Sequence, residues 1–199
     1  MKLRESSMPE EAYWESLMDV PLILDRLGIG RGLKRVAEFG CGYGTFTIPV
    51  AQRTGGLLDT FDVEPDMLQR TQRRAIEAGL SNVHCHRRDV FAEGFGLADE
   101  SSDACLLFNI LHGEEPVRLL TEAARVTQPE GLVFVIHWRY DPQTPRGPSL
   151  DIRPRPEQIA TWAETVHNLR PDGGAIDLPS WHYGWRIKKL CAGPHPNPR

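Results

Sequence analysis

The sequence predicts an α/β fold, a seven-stranded, mostly parallel sheet with helices on both faces and a short helical extension ahead of it. From Arg35 onward, short apolar runs alternate with stretches of helical spacing. Two of the runs, residues 104–108 and 132–136, are apolar without interruption, as strands covered on both faces are. Three helices open on a proline, Pro65, Pro116 and Pro156, at the first turn where a missing amide costs nothing.

Taken in order, Ser7-Met8-Pro9-Glu10 matches a capping box, so a first helix is expected to begin there, and Pro21 to break or kink it. Leu22, Ile23, Leu24 and Leu27 then form a second helical set, ended by Gly28-Ile29-Gly30. Residues 1–33 read as an N-terminal helical extension or cover, and residues 34–191 as the main domain. Five strands are expected at 36–39, 57–62, 83–87, 104–108 and 132–136, with a helix starting near Thr45 after the first. Ile159, Trp162, Ala163 and Val166 follow i, i+3, i+4, i+7 spacing, which assigns Trp162 to a core-facing stripe. Residues 175–178 and 182–190 read as two more strands joined by Pro179-Ser180-Trp181. The proline-rich residues 192–199 read as a disordered tail.

Composition narrows the function. With 199 residues, 40% hydrophobic and 25% charged, the chain matches an ordinary single globular domain. A formal net charge of −4 gives no positive field to draw it to phosphate backbones or anionic lipid, so neither nucleic acid nor membrane is expected as a partner. Arg70, Arg73 and Arg74, with Glu77, look like a solvated helix face. The four cysteines form no CxxC pair, and no apolar run approaches the roughly 20 residues of a membrane helix, so a cytoplasmic protein with free thiols is expected. A homodimer is compatible with the sequence, which leaves the oligomeric state open.

Three alternate glycines, Gly40, Gly42 and Gly44, lie directly between the first strand and its helix. Glycine lets backbone approach a ligand closely and tolerates positive φ, so this turn suits a nucleotide-like cofactor at the carboxyl end of a parallel strand. Asp62 ends the second strand, where a carboxylate can accept from both ribose hydroxyls, and Asp89 follows the third, where it could accept from an adenine amine. Together they describe an adenosine site. A nicotinamide-dependent dehydrogenase also places an acid on a ribose, but its GxGxxG fingerprint sets the third glycine one residue later than Gly44. A chain that binds the cofactor only to sense it remains an alternative.

On these residues the sequence resembles the class I S-adenosylmethionine-dependent methyltransferases, and among them the small-molecule group typified by ubiquinone and menaquinone biosynthesis. The resemblance covers most of residues 36–139. Glu38-x-Gly40-Cys41-Gly42-x-Gly44 is similar to the first motif of the family, which implies that the glycine turn meets the methionine part of S-adenosylmethionine. The stretch beginning Asp62-Val63 resembles the second motif, implying Asp62 on the ribose and Val63 against adenine; Arg88-Asp89-Val90 resembles the third. The run ending Phe108-Asn109 is similar to the fourth strand, with the backbone near Asn109 reaching the methionine end. Glu130 departs from the family by replacing the first of two glycines in the turn before the fifth strand. The resemblance implies a Rossmann-like sheet of order 3-2-1-4-5-7-6, the seventh strand antiparallel, and methyl transfer to a small-molecule acceptor.

A proton-bearing acceptor requires a base near the methyl group. His112, after the fourth strand, and His137, ending the fifth, are the candidates. Strand alternation would put Arg139 on the same side as His137, with Trp138 opposite, a base and a cation suited to an acidic acceptor. Tyr13 and Trp14 in the extension are candidates to line the substrate pocket, and the arginine-bearing, proline-rich stretch 142–156 could form another wall. His84-Cys85-His86 is expected to be structural, because alternation turns the cysteine away from the two histidines, and no metal site is expected.

Overall fold

β1 (Arg35–Phe39) lies at the middle of a sheet whose neighbours alternate in sequence on either side of it. The computed structural model describes residues 8–191. It contains two short helices, α1 (Glu11–Ser16) and α2 (Val20–Leu27), followed by β1 and α3 (Thr47–Thr54), then β2 (Leu57–Asp62) and α4 (Pro65–Glu77). β3 (Val83–Arg87) leads to α5 (Val90–Glu93), β4 (Ser102–Phe108) to α6 (Pro116–Val126), and β5 (Thr127–Trp138) to α7 (Pro156–Thr165). β6 (Leu169–Pro171), β7 (Ile176–Leu178) and β8 (His182–Lys189) complete it. The order is β3-β2-β1-β4-β5-β8-β6, with the first five strands parallel and β8 antiparallel to β5.

Apolar side chains point to both faces of the central strands, so the sheet carries two cores. On one face Ala37, Cys105, Leu107, Val133 and Val135 pack against Leu120 and Ala123 of α6 and Ile159 and Ala163 of α7. On the other, Val36, Leu58, Leu106 and Phe134 meet Ile23, Leu24 and Leu27 of α2 and Val50 and Ala51 of α3. Each fully buried leucine or isoleucine contributes roughly 1.5–3 kcal/mol. α2 is therefore part of the core, which fixes the chain ahead of β1 onto the sheet.

The starts of the first two helices differ from the sequence reading. Glu10, not Ser7, caps α1, its carboxylate accepting from the amides of Ala12 and Tyr13 at 3.1 and 3.2 Å; Ser7 lies outside the described residues. Pro21 opens α2 instead of kinking α1: Asp19 caps it by accepting from the Leu22 amide, and Gly28 at φ 73° ends it. The expected tail, 192–199, also lies outside the described residues. At the far edge, β6 and β7 pair with the two ends of the same side of β8, opposite Ile187–Lys189 and His182–Gly184 in turn. They form one edge strand interrupted at Asp172-Gly173-Gly174-Ala175. The sequence reading found only the second piece, because Pro171 and the glycines hide the first.

An irregularity in the first residues of β5, where the expected turn became part of the strand, explains the departure at Glu130. That residue adopts φ 66°, the left-handed conformation that favours glycine, and Lys188 Nζ reaches its carboxylate at 2.7 Å. Gly131, next to it, has no room: a Cβ would lie 2.7 Å from the Asp103 carbonyl and 2.8 Å from that of Gln128. Both obstacles are backbone and cannot swing aside. Gly131→Ala should therefore lower stability by about 1–3 kcal/mol, seen as a lower urea midpoint at unchanged m value; an unchanged midpoint would show that the turn yields.

Candidate functional site

The site forms at the carboxyl ends of β1, β2 and β4, where the loops of a parallel sheet converge. Gly40, Gly42 and Gly44 all take positive φ, 82°, 50° and 78°. Gly40 donates to the Phe61 carbonyl at 2.8 Å, continuing the β1–β2 ladder into the turn. Gly44 faces α4: a Cβ there would lie 3.1 Å from the Thr71 hydroxyl oxygen, and Thr71 Oγ1 donates to the Gly42 carbonyl at 3.1 Å. Gly44 thus lets the turn seat on α4 and does not line the cavity above it.

Beneath the turn Glu38 is buried, 2% exposed, and its Oε2 accepts from Thr47 Oγ1 at 2.6 Å and Thr60 Oγ1 at 2.8 Å. Burial pushes its carboxyl up to about 7, the two threonine hydroxyls oppose the rise, and the Asp62 charge adds to it. Expected as a cofactor contact, Glu38 instead ties β1, α3 and β2 together under the turn, because a carboxylate on the central strand points into the layer between sheet and helix.

Above it lies a cavity of about 420 Å³, walled by Gly40, Cys41 and Gly42, by Asp62 and Val63, and by Asp89 and Asn109. Asp62 is held in place from below: Oδ2 accepts from the Gly42 amide at 3.2 Å and from Cys41 Sγ at 3.6 Å, and Oδ1 accepts from the Glu64 amide at 3.0 Å. Burial, and then the charge of Asp62, push the Cys41 thiol far up, so it stays protonated. Asp89 caps α5 through the Ala92 amide at 3.1 Å while facing the cavity. Asn109 takes φ 58°, and its buried Oδ1 has no hydrogen-bond partner. Val90 turns into the core beside α6, away from this cavity.

α1 covers the cavity with one of its two aromatic residues. Trp14 lines it and meets Trp138 edge to face, ring centroids 6.0 Å apart, whereas Tyr13 points outward and is 43% exposed. A helix one turn and a half long can turn only one of two adjacent side chains inward. Glu11 pairs with Arg70 at 2.9 Å and Arg74 at 3.2 Å, Glu15 pairs with Arg74 at 2.6 Å, and Tyr43 Oη donates to the Pro9 carbonyl at 2.6 Å. The helix face read as solvated is, at Arg70 and Arg74, the latch for this cover.

A second cavity, about 580 Å³, opens on the other side of His112, which lines both. Phe91, Tyr140 and Trp162 give it aromatic walls, Arg118, Arg153 and Arg155 bring positive charge, and Glu114, Glu115 and Asp151 bring negative charge. The Arg155 guanidinium lies over the Tyr140 ring at 3.7 Å, and Arg118 Nη1 pairs with Glu115 at 3.2 Å. Trp162 packs on the core as its spacing predicts, and also presents a surface here.

Between the cavities runs the proline-rich stretch. The side chain of Arg153, 7% exposed, holds it together by donating to the carbonyls of Pro148 (2.6 Å), Arg139 (3.0 Å) and Asp141 (3.2 Å). Gly147, at φ 113°, lies so close to Trp138 that a Cβ would sit 2.8 Å from its ring. Arg146, Gly147 and Pro148 thereby wall the first cavity and residues 150–155 the second.

His137 and Arg139, expected side by side at the acceptor, line neither cavity. His137 is fully buried beneath His112, ring centroids 5.6 Å apart, and lines neither cavity. Burial, then the neighbouring His112, hold its imidazole well below the usual histidine range, so it is neutral. Arg139 lies beyond β5, which ends at Trp138, so strand alternation no longer governs it; its guanidinium pairs with Asp177 and donates to the His182 carbonyl at 3.2 Å. Trp138, placed opposite by the same reasoning, is the residue that reaches the first cavity. Met67, Phe108 and Ile110 also line it and were not singled out; their only signal was position at or just beyond the end of β4 or in the first turn of α4.

Known proteins agree with this architecture. Residues 36–131 match the family model described as a methyltransferase domain. An S-adenosylmethionine-dependent methyltransferase from Aquifex aeolicus superposes with a TM-score of 0.78 at 21% identity, covering 91% of this chain and 94% of that one. The cyclase SpnF superposes with a TM-score of 0.73 at 17% identity, over 94% and 84% of the two chains. In sequence, the chain is 29% identical over 119 residues to an uncharacterized protein of Mycobacterium tuberculosis, 59% of this chain and 42% of that one. Aklanonic acid methyltransferase DauC of Streptomyces sp. (strain C5) is 33% identical over 64 residues, 31% of this chain and 29% of that one. The chain spans less than half the length of these curated relatives. Residues 36–131 thus match a methyltransferase domain, and the chain as a whole shares the fold of S-adenosylmethionine-dependent methyltransferases of known structure. A narrower tie to the ubiquinone group has no support in these matches. Among the described residues no helix is long and apolar enough to cross a membrane.

The burial of Glu38 has a measurable consequence. Burial raises its carboxyl to about 7 in the folded chain from the ordinary 4.5, so between those limits the folded state holds a proton that the unfolded state has lost. Stability therefore falls as pH rises through this window, by about 1.4 kcal/mol per unit of difference and on the order of 3 kcal/mol in all. Glu38→Gln should flatten that decline in urea titrations; an equal decline in both proteins would mean the carboxyl is ionised throughout.

Proposed function

We propose that the chain transfers a methyl group from S-adenosylmethionine to a small acidic acceptor, the cofactor in the 420 Å³ cavity and the acceptor in the 580 Å³ one. The observation that carries this reading is His112, one side chain on the wall of both cavities. The residues of the first cavity fit the cofactor: Asp62 is oriented by two backbone amides, the glycine turn leaves its backbone accessible, and the orphaned Asn109 Oδ1 awaits a donor such as an ammonium group. When bound, the cofactor supplies a methyl group on a sulfonium, open to in-line attack. Asp62 accepts from the ribose hydroxyls, Asp89 and Val63 meet the adenine, and Trp14 and Trp138 exclude water above.

In the second cavity Arg155 holds an anionic group, and Phe91, Tyr140 and Trp162 pack on a flat, apolar body. An acceptor fixed there points its nucleophile at His112, which takes the departing proton on a ring nitrogen, while buried His137 keeps that imidazole positioned from beneath. The Streptomyces relative, named as a methyltransferase of aklanonic acid, supports an acidic acceptor. The net charge of −4 favours a small molecule over nucleic acid. A cyclase of the same fold shows that fold alone does not decide the reaction, so release of S-adenosylhomocysteine is the deciding measurement.

Asp62→Ala should weaken S-adenosylmethionine at least about tenfold in calorimetry, since charge-assisted hydrogen bonds contribute about 1.5–3 kcal/mol. Equal affinity in the folded variant, or tight nicotinamide dinucleotide binding in its place, would refute the cofactor assignment.

With an aromatic carboxylic acid found by screening for S-adenosylhomocysteine release, Arg155→Gln should raise KM several-fold at unchanged cofactor affinity. His112→Ala should lower kcat, most at low pH where the unassisted nucleophile is least ionised. If both variants keep wild-type kcat/KM, the acceptor does not occupy this cavity.

A further inference from the structure

At the edge of the sheet, away from both cavities, three potential ligands meet on one face. β3 is the edge strand, and His84 and His86, two residues apart, project to the same side of it. Parallel pairing sets Asp59 of β2 opposite His84. His86 Nε2 lies 2.8 Å from Asp59 Oδ1 and His84 Nδ1 3.6 Å from it, and the three ligand atoms all fall within 4.8 Å of one another. A tetrahedral ion with bonds of about 2.0–2.2 Å needs ligand atoms roughly 3.3–3.5 Å apart. Two of the three edges bracket that value, so a small rotation of the exposed His84 closes the set.

We propose that Asp59, His84 and His86 bind a divalent transition-metal ion. Two imidazoles and one carboxylate form a nitrogen-rich set of borderline softness, which selects zinc, nickel, cobalt or copper over magnesium or calcium. Cys85 takes no part: alternation turns it to the opposite face, and burial pushes its thiol up to about 11. Phe61 fixes the orientation of one ligand, its ring stacked on His86 with centroids 4.7 Å apart and planes 17° apart. Asp59 has a side chain only 10% exposed, while the histidines are 54% and 42% exposed. A largely buried carboxylate backed by accessible imidazoles leaves an open side for the ion and for solvent to complete its shell. Bound there, the ion ties the edge strand to its neighbour and stabilises the fold by mass action.

Zinc chloride is the probe, titrated calorimetrically at neutral pH into the full chain freed of metal by chelation. One saturable site is expected, with affinity at least about tenfold lower in both His84→Ala and His86→Ala, and unchanged in His167→Ala, which removes an exposed histidine elsewhere. Thermal unfolding of the same four proteins should show zinc raising Tm in the wild type and in His167→Ala only. Circular dichroism of the variants confirms that each is folded. Absence of saturable binding, or an affinity retained in either of the first two variants, overturns the proposal. Because the readouts are binding and stability, they stand or fall independently of methyl transfer.

Discussion

Everything above the carboxyl edge of the sheet rests on one buried acid. Glu38 gathers a hydroxyl from α3 and another from β2 onto a single oxygen, so strand, helix and neighbouring strand cannot shift separately without breaking a hydrogen bond inside the protein. The glycine turn sits directly on this junction and inherits its rigidity. The arrangement costs stability, since the acid is buried beside another acid and its ionisation is disfavoured. That cost is typical of a site in which geometry is held ahead of binding.

From this base the site is built outward in layers of decreasing constraint. Asp62 is locked by backbone amides of two loops. The roof is held more weakly, since the pairs of Glu11 and Glu15 with Arg70 and Arg74 are partly solvated, and such pairs contribute about 0–1 kcal/mol each. A floor fixed by buried hydrogen bonds beneath a roof fixed by screened charges gives a cavity of defined shape with an entrance that can open.

Much of this was legible in the residues. The uninterrupted apolar runs announced a parallel sheet because strands covered on both faces need no polar residues, and the prolines of α4, α6 and α7 marked their starts because position and chemistry coincide there. The glycine turn, Asp62, Asp89 and Asn109 were legible because each sits immediately after a strand. What failed did so where local pattern gives way to tertiary context. Alternation carried past the end of β5 misassigned Arg139; within the strand it set Trp138 opposite His137, but it could not reveal which face meets the cavity or that His137 lies under His112. Trp162 shows the converse, a residue whose periodicity gave its packing but not the second surface it offers. Asp59 could not be joined to His84 from sequence, since only the register between β2 and β3 sets them side by side.

The stretch clasped by Arg153 has a further consequence. One guanidinium gathers carbonyls from Arg139, Asp141 and Pro148, so the loop folds around an internal hub, while Tyr183 and Trp185 of β8 tie its far end to the sheet at Pro154 and Pro156. Its inner rim walls the first cavity through Gly147 and Pro148, while the outer rim, from Leu150 to Arg155, faces the other cavity. A wall organised in this way is a replaceable module. Substitutions along the outer rim, Arg153 apart, can reshape the second cavity while the hub keeps the inner rim in register.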